Sequence, residues 1–329
     1  MAEKEVEDPK ERIDALLATV GLAFRRRFLQ AIENIRTRNT LRRLEELLSS
    51  GQFDEALAAA LLEGATHLGT GYSRGFMLSA DDTAAFLTRS IEVIVNYDST
   101  NPRAIAELQK NQLRLVREFT QGQRLATQVA LTEGIARGLN PRQQAILFRQ
   151  SIGLTESQAR AVLNYRRLLE NQSLEALARE LRDKRFDSTI VRAFKDGRAL
   201  TTAQVERMVE RYYQNSVALR AETIARTEAL SAVHGGVHEM YLQAVDDGLI
   251  QDDELTRTWL TSGLPNRRDH HVSMEGQQRS LTEPFVSGLG NLLMQPGDMD
   301  AGAEEVANCV CTVTTRFTVD VPEPAEATS

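Results

Sequence analysis

From Arg12 to about Arg38 the apolar residues Ile13, Leu16, Leu17, Val20, Leu22, Phe24, Phe28, Leu29 and Ile32 recur at helical spacing. A second helix is predicted from Thr40 to Leu48, stopping near Gly51. From Phe53 to Asn96 the pattern reads as helical segments broken at Gly64, Gly69, Gly71 and Gly75. Ser99-Thr100-Asn101-Pro102 is a helix start, with Pro at an early position where its missing N–H costs nothing. That helix should run to about Arg137, before Gly138-Leu139-Asn140-Pro141 opens a short one that stops at Gly153. Thr155-Glu156-Ser157-Gln158 has the form of a capping box leading into Ala159–Leu169. Short helices over Leu174–Arg182 and Ser188–Phe194 follow. Thr202 should then cap a long helix from Ala203 to Ala232, broken at Gly235-Gly236 and resumed to Ala244.

Beyond Gly248 the period changes. Thr256–Thr261 is rich in strand formers, and Gln278–Leu281 is a second short candidate strand. From Cys309 to Val319, the residues Cys309, Cys311, Val313, Thr315, Phe317 and Val319 fall on one face of a strand. Turn-rich stretches, Ser262–Asn266 and Gln295–Asp298, lie between these strands. The expected fold is therefore mainly α with a small α+β C-terminal domain: a helical N-terminal region, a long connecting helix and a short antiparallel sheet. Residues 1–10 and 321–329 carry charge without periodicity and read as disordered tails, leaving a helical region over 11–200 and a second domain over 201–320.

Composition narrows the function classes. The 329 residues suffice for one large domain or two ordinary ones. No apolar run approaches the length of a membrane span, and the charged start Met1-Ala2-Glu3-Lys4-Glu5 lacks the apolar core of a secretory signal. A chain made and used on the cytoplasmic side, without a membrane partner, is expected. Its two cysteines exclude a disulfide scaffold. The net charge of −7 argues against a general nucleic-acid coat, yet charge is uneven. Arg25, Arg26, Arg27, Arg36, Arg38, Arg42 and Arg43 cluster near the start, whereas the chain beyond Glu239 is acidic. The cluster reads either as a solvated helix face or as a contact for DNA phosphates or an acidic protein surface. There is no GxxxxGK[ST] phosphate loop, no nucleophile elbow and no distinct carboxylate pair.

Chemistry-bearing residues concentrate near the C-terminus. Arg268-Asp269-His270-His271 follows a turn, and with Cys309 and Cys311 the two histidines make a candidate zinc set of Cys2His or Cys2His2 type. The competing reading buries both cysteines as small apolar residues beside Val313 and Phe317. His234 and His238 are spaced i, i+4, but Gly235-Gly236 lies between them and no Glu follows the first, so a zincin helix is a poor match. His67 stands alone in a helix. Glu222 and Arg226 are spaced as a helix-surface ion pair, and Arg226 with Glu228 can instead turn toward the C-terminal domain and pin it.

In order, these pieces resemble one family. Arg226-Thr227-Glu228 on a helix is followed by Trp259 on a strand, then Arg268-x-x-His271-x-x-Met274-Glu275-Gly276, Phe285, Pro296-Gly297-Asp298 and Asn308-Cys309-Val310-Cys311. The ordered set is similar to the C-terminal domain of phage Mu F-like minor head, or head morphogenesis, proteins, whose pattern is RTE, RxxHxxLDG, a proline-containing turn and NCRC. Here Met274-Glu275 stands for Leu-Asp and Val310 for the Arg of NCRC, and the acid often found upstream of RxxH is not evident. The likeness extends weakly upstream through Gly153-Leu154-Thr155 and Arg220–Ala225 and does not reach residues 1 to about 140.

The resemblance implies structural roles for Arg226, Glu228, Trp259, Arg268, Gly276, Pro296 and Asn308. It implies a protein of the virion, in the capsid interior or at the portal vertex, assembled in the bacterial cytoplasm. Its partners would be portal, major capsid or scaffold proteins, with packaged double-stranded DNA as a further contact. Such a protein turns over no substrate. The alternative from the residues alone is a zinc-dependent hydrolase or toxin-like enzyme on the His/Cys cluster, with Asp269 or Glu275 as base. Four protein ligands would instead close the site and make the zinc structural.

Overall fold

The computed structural model describes residues 2–263 and 268–321, without the side chains of residues 2, 3, 53–66, 320 and 321. The fold is mainly helical with a small antiparallel sheet, as the hydrophobic pattern predicts. In chain order the elements are β1 (Ala2–Glu7), α1 (Lys10–Arg38), α2 (Leu41–Ser49), α3 (Phe53–Ile91), α4 (Pro102–Ala136), α5 (Pro141–Arg149), α6 (Glu156–Glu170), α7 (Asp187–Asp196) and α8 (Thr202–Asp246). The C-terminal part adds β2 (Thr256–Leu260), α9 (Asp269–Val272), β3 (Gln278–Arg279), β4 (Phe285–Val286), β5 (Leu292–Leu293), α10 (Ala303–Val306) and β6 (Thr312–Val321).

The chain forms two compact units, one of Met1–Arg25, Thr70–Gln112 and Thr223–Ser329, the other of Arg26–Gly69 and Leu113–Glu222. The expected domains over 11–200 and 201–320 match neither, because α1, α3, α4 and α8 each contribute residues to both units. Of the expected disordered tail over 321–329, Val321 ends β6 and the rest lies outside the described residues, as does most of the turn at Ser262–Asn266.

Helix starts follow local chemistry. Asn140 and Thr155 each close a capping box, with Gln143 and Gln158 respectively. At α8 the cap is Thr201 and not the expected Thr202: its hydroxyl accepts from the Gln204 N–H at 3.3 Å, while the Gln204 side chain accepts from the Thr201 N–H at 2.9 Å. The expected helix over Leu174–Arg182 is a short 3-10 turn, Leu174–Ala178.

Glycine interrupts neither long helix. α3 is continuous over 39 residues and α8 over 45, through the expected breaks at Gly64, Gly69, Gly71, Gly75 and Gly235-Gly236. Packing supplies the reason within the first unit. A Cβ on Gly236 would lie 2.2 Å from the Phe76 carbonyl oxygen, and one on Gly75 would lie 2.6 Å from Val20 Cγ1. These glycines let helix backbones approach closely, which offsets their poor helix propensity.

The first ten residues, expected to be disordered, are ordered from Ala2. β1 pairs antiparallel with β6, Val6 opposite Phe317 and Glu7 opposite Arg316. The strand uses backbone groups that need no apolar periodicity, so the charged sequence conceals it. Arg316 sits 3.2 Å from Glu5 and 3.5 Å from Glu7. Asp8, which is buried, then anchors the turn into α1. Its N–H donates to the Thr315 carbonyl at 2.8 Å, and its carboxylate accepts from Arg12 at 2.7 Å and from the Tyr241 hydroxyl at 3.3 Å.

The sheet order is β1-β6-β2-β3, with β4 and β5 forming a separate hairpin. β2 pairs with β6 so that Trp259 faces Val313. β6 begins at Thr312 and not at the expected Cys309, because Asn308 takes a left-handed φ of 57° and turns the chain before the strand. In the second unit, Arg36 pairs with Glu210 at 2.9 Å and stacks 4.6 Å over the Tyr213 ring, whose hydroxyl donates to the Ile152 carbonyl at 2.7 Å.

Two predictions follow from this packing. Gly236→Ala should destabilise the protein by about 3 kcal/mol through overpacking against α3, read as a lowered urea midpoint. His234 and His238 are held down to about 3 by burial, and His234 Nε2 and His238 Nδ1 have no hydrogen-bond partner. Their ordinary value is about 6.5, so between these limits the unfolded chain binds more protons. The stabilisation is complete above about pH 6.5 and is lost as pH falls toward 3, at roughly 1.4 kcal/mol per pH unit for each histidine. His234→Gln and His238→Gln variants should show a shallower loss of stability over that window than the parent; an unchanged slope would refute the assignment.

Candidate metal centre

The short strands and turns that follow α8 pack around one apolar cluster of Leu230, Trp259, Met274, Phe285, Leu293, Cys309, Cys311 and Val313. Trp259 is fully buried and meets Phe285 and His271 edge-on, with ring centroids 5.2 and 6.0 Å apart. Little regular secondary structure holds this region, so side chains satisfy its backbone. Arg257, 2 % exposed, donates to the carbonyls of Ser280, Glu283 and Met294 and stacks 5.0 Å over Phe285. Burial lowers its guanidinium to about 10, so it remains charged at neutral pH.

The motif residues converge on this cluster. Arg268 donates to the carbonyls of Glu305 and Ala307, fastening the loop before α9 to α10. The Gly276 N–H donates to the Trp259 carbonyl at 2.9 Å, and its φ of 73° closes a turn that side chains resist. Pro296 is buried beside Gly297, where a Cβ would stand 2.7 Å from Ser231 N of α8. The Asn308 N–H donates to Thr227 Oγ1 at 3.1 Å. Of the Arg226-Thr227-Glu228 trio, Thr227 thus makes this link; Glu228 is buried, and Arg226 lines a cavity beside the cysteines.

His271, Cys309 and Cys311 stand together. All three are buried, and their donor atoms lie within 4.8 Å of one another, a group that can hold a metal ion. His271 Nδ1 is 3.5 Å from each sulfur. With Zn–S near 2.3 Å and Zn–N near 2.0 Å, a tetrahedral zinc would separate nitrogen from sulfur by about 3.6 Å, so this spacing fits. The other ring nitrogen, Nε2, lies 2.7 Å from Glu305 Oε2. A carboxylate there selects the tautomer with the proton on Nε2 and leaves the Nδ1 lone pair facing the thiols, as at a metal-ligating histidine.

Glu305 is wholly buried and held by several donors. Its Oε1 accepts from Ser287 Oγ and Asn291 Nδ2, each at 2.8 Å. Burial alone would raise this carboxyl, but the hydrogen bonds from Asn291, Ser287 and His271 bring it below its ordinary value. For His271, burial favours the neutral ring, whereas Cys309 and Glu305 favour the charged one, and the net shift is upward. Hydrogen bonding from Cys311 lowers Cys309 to about 5 even against burial, and the same interaction raises Cys311. The Trp259 indole N–H and the Ser262 backbone N–H favour the Cys311 thiolate. Trp259 Nε1 is itself buried without a hydrogen-bond partner.

Of the two expected sets, Cys2His and Cys2His2, the structure groups the residues of the first. His270 does not join the cysteines: its Nε2 lies 3.4 Å from Glu305 Oε2, and it groups with His271 and Glu305. Adjacent residues on the single helical turn of α9 point in different directions, so only one histidine can face the thiols. Glu305 and Arg257 carry no sequence signal as site residues. Glu305 sits next to Glu304 in an acidic stretch, and nothing in the chain distinguishes the buried carboxylate from its neighbour.

The amino-terminal arginines also separate. Arg36 is buried against Glu210 and Tyr213, which removes it from the expected contact surface. Arg26, Arg38, Arg42 and Arg43 are exposed and Arg25 and Arg27 half-buried; Arg42 pairs with Glu46 at 3.0 Å. Among the described residues, His67, His234 and His238 belong to no metal-capable group. Comparisons with known protein families, with curated proteins and with solved structures find no match.

Glu305→Ala should act on both fold and metal. Leaving Ser287, Asn291 and His271 unpaired should cost about 3 kcal/mol of stability. Zinc affinity should fall by roughly 10- to 100-fold in a chelator competition, the usual effect of losing a carboxylate behind a ligating histidine. An affinity equal to the parent's would sink the outer-shell role of Glu305.

Proposed function

We propose that this chain is a minor head protein of a tailed phage, akin to the Mu F-like head morphogenesis proteins, and that a zinc ion at His271, Cys309 and Cys311 braces its C-terminal region. One observation carries the reading. The dispersed pieces of the motif, from Thr227 through Trp259, Arg268, His271, Gly276 and Pro296 to Asn308 and the cysteines, meet around a single core. Unrelated weak matches have no reason to converge. An ordered motif that builds one core is what shared ancestry with that family would leave behind.

The donor chemistry supports zinc among the divalent metals: two thiols and one imidazole suit a borderline-soft ion, whereas calcium and magnesium prefer oxygen. The ion would supply folding free energy by tying β6 and its preceding turn to α9, within a region whose strands are mostly two residues long. The carboxylates expected to serve as bases favour an assembly role over turnover. Glu275 accepts from the Thr261 N–H at 2.6 Å and from its hydroxyl, and Asp269 is exposed. Arg25, Arg26, Arg27, Arg38, Arg42 and Arg43 are the groups we assign to contact with portal protein or packaged DNA phosphates.

Affinity capture of the tagged full chain from infected or reconstituted cells should bring portal or capsid protein with it. Absence of both from the captured material would overturn the assembly reading. Zinc should copurify in reducing buffer, and its removal should lower the melting temperature. A zinc-free protein with an unchanged melting temperature would leave Cys309 and Cys311 as core residues only.

A further inference from the structure

The metal centre has one corner that the protein does not fill. Among the described residues, the group at the sulfurs contains three donors, His271, Cys309 and Cys311. The two nearest candidates for a fourth are committed elsewhere. Glu305 is held by Ser287, Asn291 and the far nitrogen of His271, and His270 lies on that same carboxylate. Both therefore stand behind the imidazole, away from the Nδ1 face that meets the thiols.

On another side of the cysteines is open space. Cys309 through Thr312 form one wall of a cavity of about 360 Å³, whose other walls include Leu17 of α1, Arg226 and Ala229 of α8, and the Thr261–Gly263 segment. Leu17 is half-buried and packs on the cluster that holds the cysteines. A tetrahedral ion with three protein ligands keeps its fourth position for an outside donor, whereas a closed structural site fills all four with protein groups. Two thiolates and a neutral imidazole would bring a divalent ion to zero net charge. The cavity wall carries Lys10 and Arg226 against Asp14, with Lys10 and Asp14 paired, and this positive balance favours an anionic fourth ligand over a cationic one.

We propose that the centre is an open site, whose fourth position faces this cavity and takes water or a small monodentate anion. This rests on the zinc reading given above. It assigns the cavity beside the cysteines a ligand-binding role, which a closed structural zinc would not have.

Cobalt(II) substitution of the full chain in reducing buffer tests the two layers separately. The metal layer predicts sulfur-to-cobalt charge-transfer absorption that is lost in Cys309→Ser and Cys311→Ser. If cobalt does not bind, or binds equally well to those variants, the zinc reading fails and the open site fails with it. The second layer predicts that cyanide, and at higher concentration imidazole, shifts the visible d–d bands saturably while the metal stays bound. Leu17→Trp, placed at a half-buried position on the cavity wall, should weaken cyanide binding at least about tenfold. Its cobalt spectrum without added ligand should keep the sulfur charge-transfer bands. Bound cobalt whose bands ignore both ligands would overturn the open site and leave the zinc reading intact. Cyanide binding unaffected by Leu17→Trp, with folding confirmed by circular dichroism, would overturn the assignment to this cavity.

Discussion

Backbone polar groups buried outside regular secondary structure must find partners, and the region after α8 is organised by that requirement. Its hairpin strands β4 and β5 are two residues each, as is β3, so ladder hydrogen bonds are few. Three charged side chains do the remaining work, Arg257 and Glu305 buried and Arg268 half-buried. Arg257 caps carbonyls at Ser280, Glu283 and Met294, Arg268 caps those at Glu305 and Ala307, and Glu305 gathers donors from Ser287, Asn291 and His271. Each is costly to bury alone and stable only when its donors or acceptors are nearly all used. The metal-capable group inherits its geometry from this network. His271 faces the sulfurs with Nδ1 because Glu305 fixes its Nε2 edge, and Glu305 is fixed because its other oxygen is already engaged.

The same economy appears in the helices. Gly75 and Gly236 weaken α3 and α8 as isolated helices, yet they sit where a Cβ would meet the Val20 side chain and the Phe76 carbonyl. A helix of 45 residues passing through two adjacent glycines is held by what packs on it. The anchoring of β1 follows suit: its charged side chains do not drive it into the sheet, but β6 offers a free edge and Asp8 binds the ends of Arg12 and Tyr241.

These features bear on function through rigidity. The motif residues that resemble a head morphogenesis domain are mostly devices for holding short segments together, and only His271 and the two cysteines carry chemistry of their own. A domain of that kind suits a part that must keep its shape within an assembly. The cavity beside the cysteines adds a place where a small donor could reach the centre, and it does so without disturbing the network behind His271.

Much of the secondary structure was legible in the chain. The stripe from Ile13 to Ile32, the capping boxes at Asn140 and Thr155 and the strand formers around Trp259 each encode a local preference that survives folding. The grouping of His271 with Cys309 and Cys311 was also legible as a set of ligand types. What the chain alone could not specify is which neighbour would be close in space. Gly235-Gly236 reads as a break because propensity is local, whereas its continuity depends on Phe76, some 160 positions earlier. His270 and His271 are equivalent in sequence, and only the placement of Glu305 and the thiols separates them. Glu305, Arg257 and Arg36 look like solvated charges until the fold buries them. Local pattern determined the elements; long-range packing decided which charges are enclosed, and with them the geometry of the site.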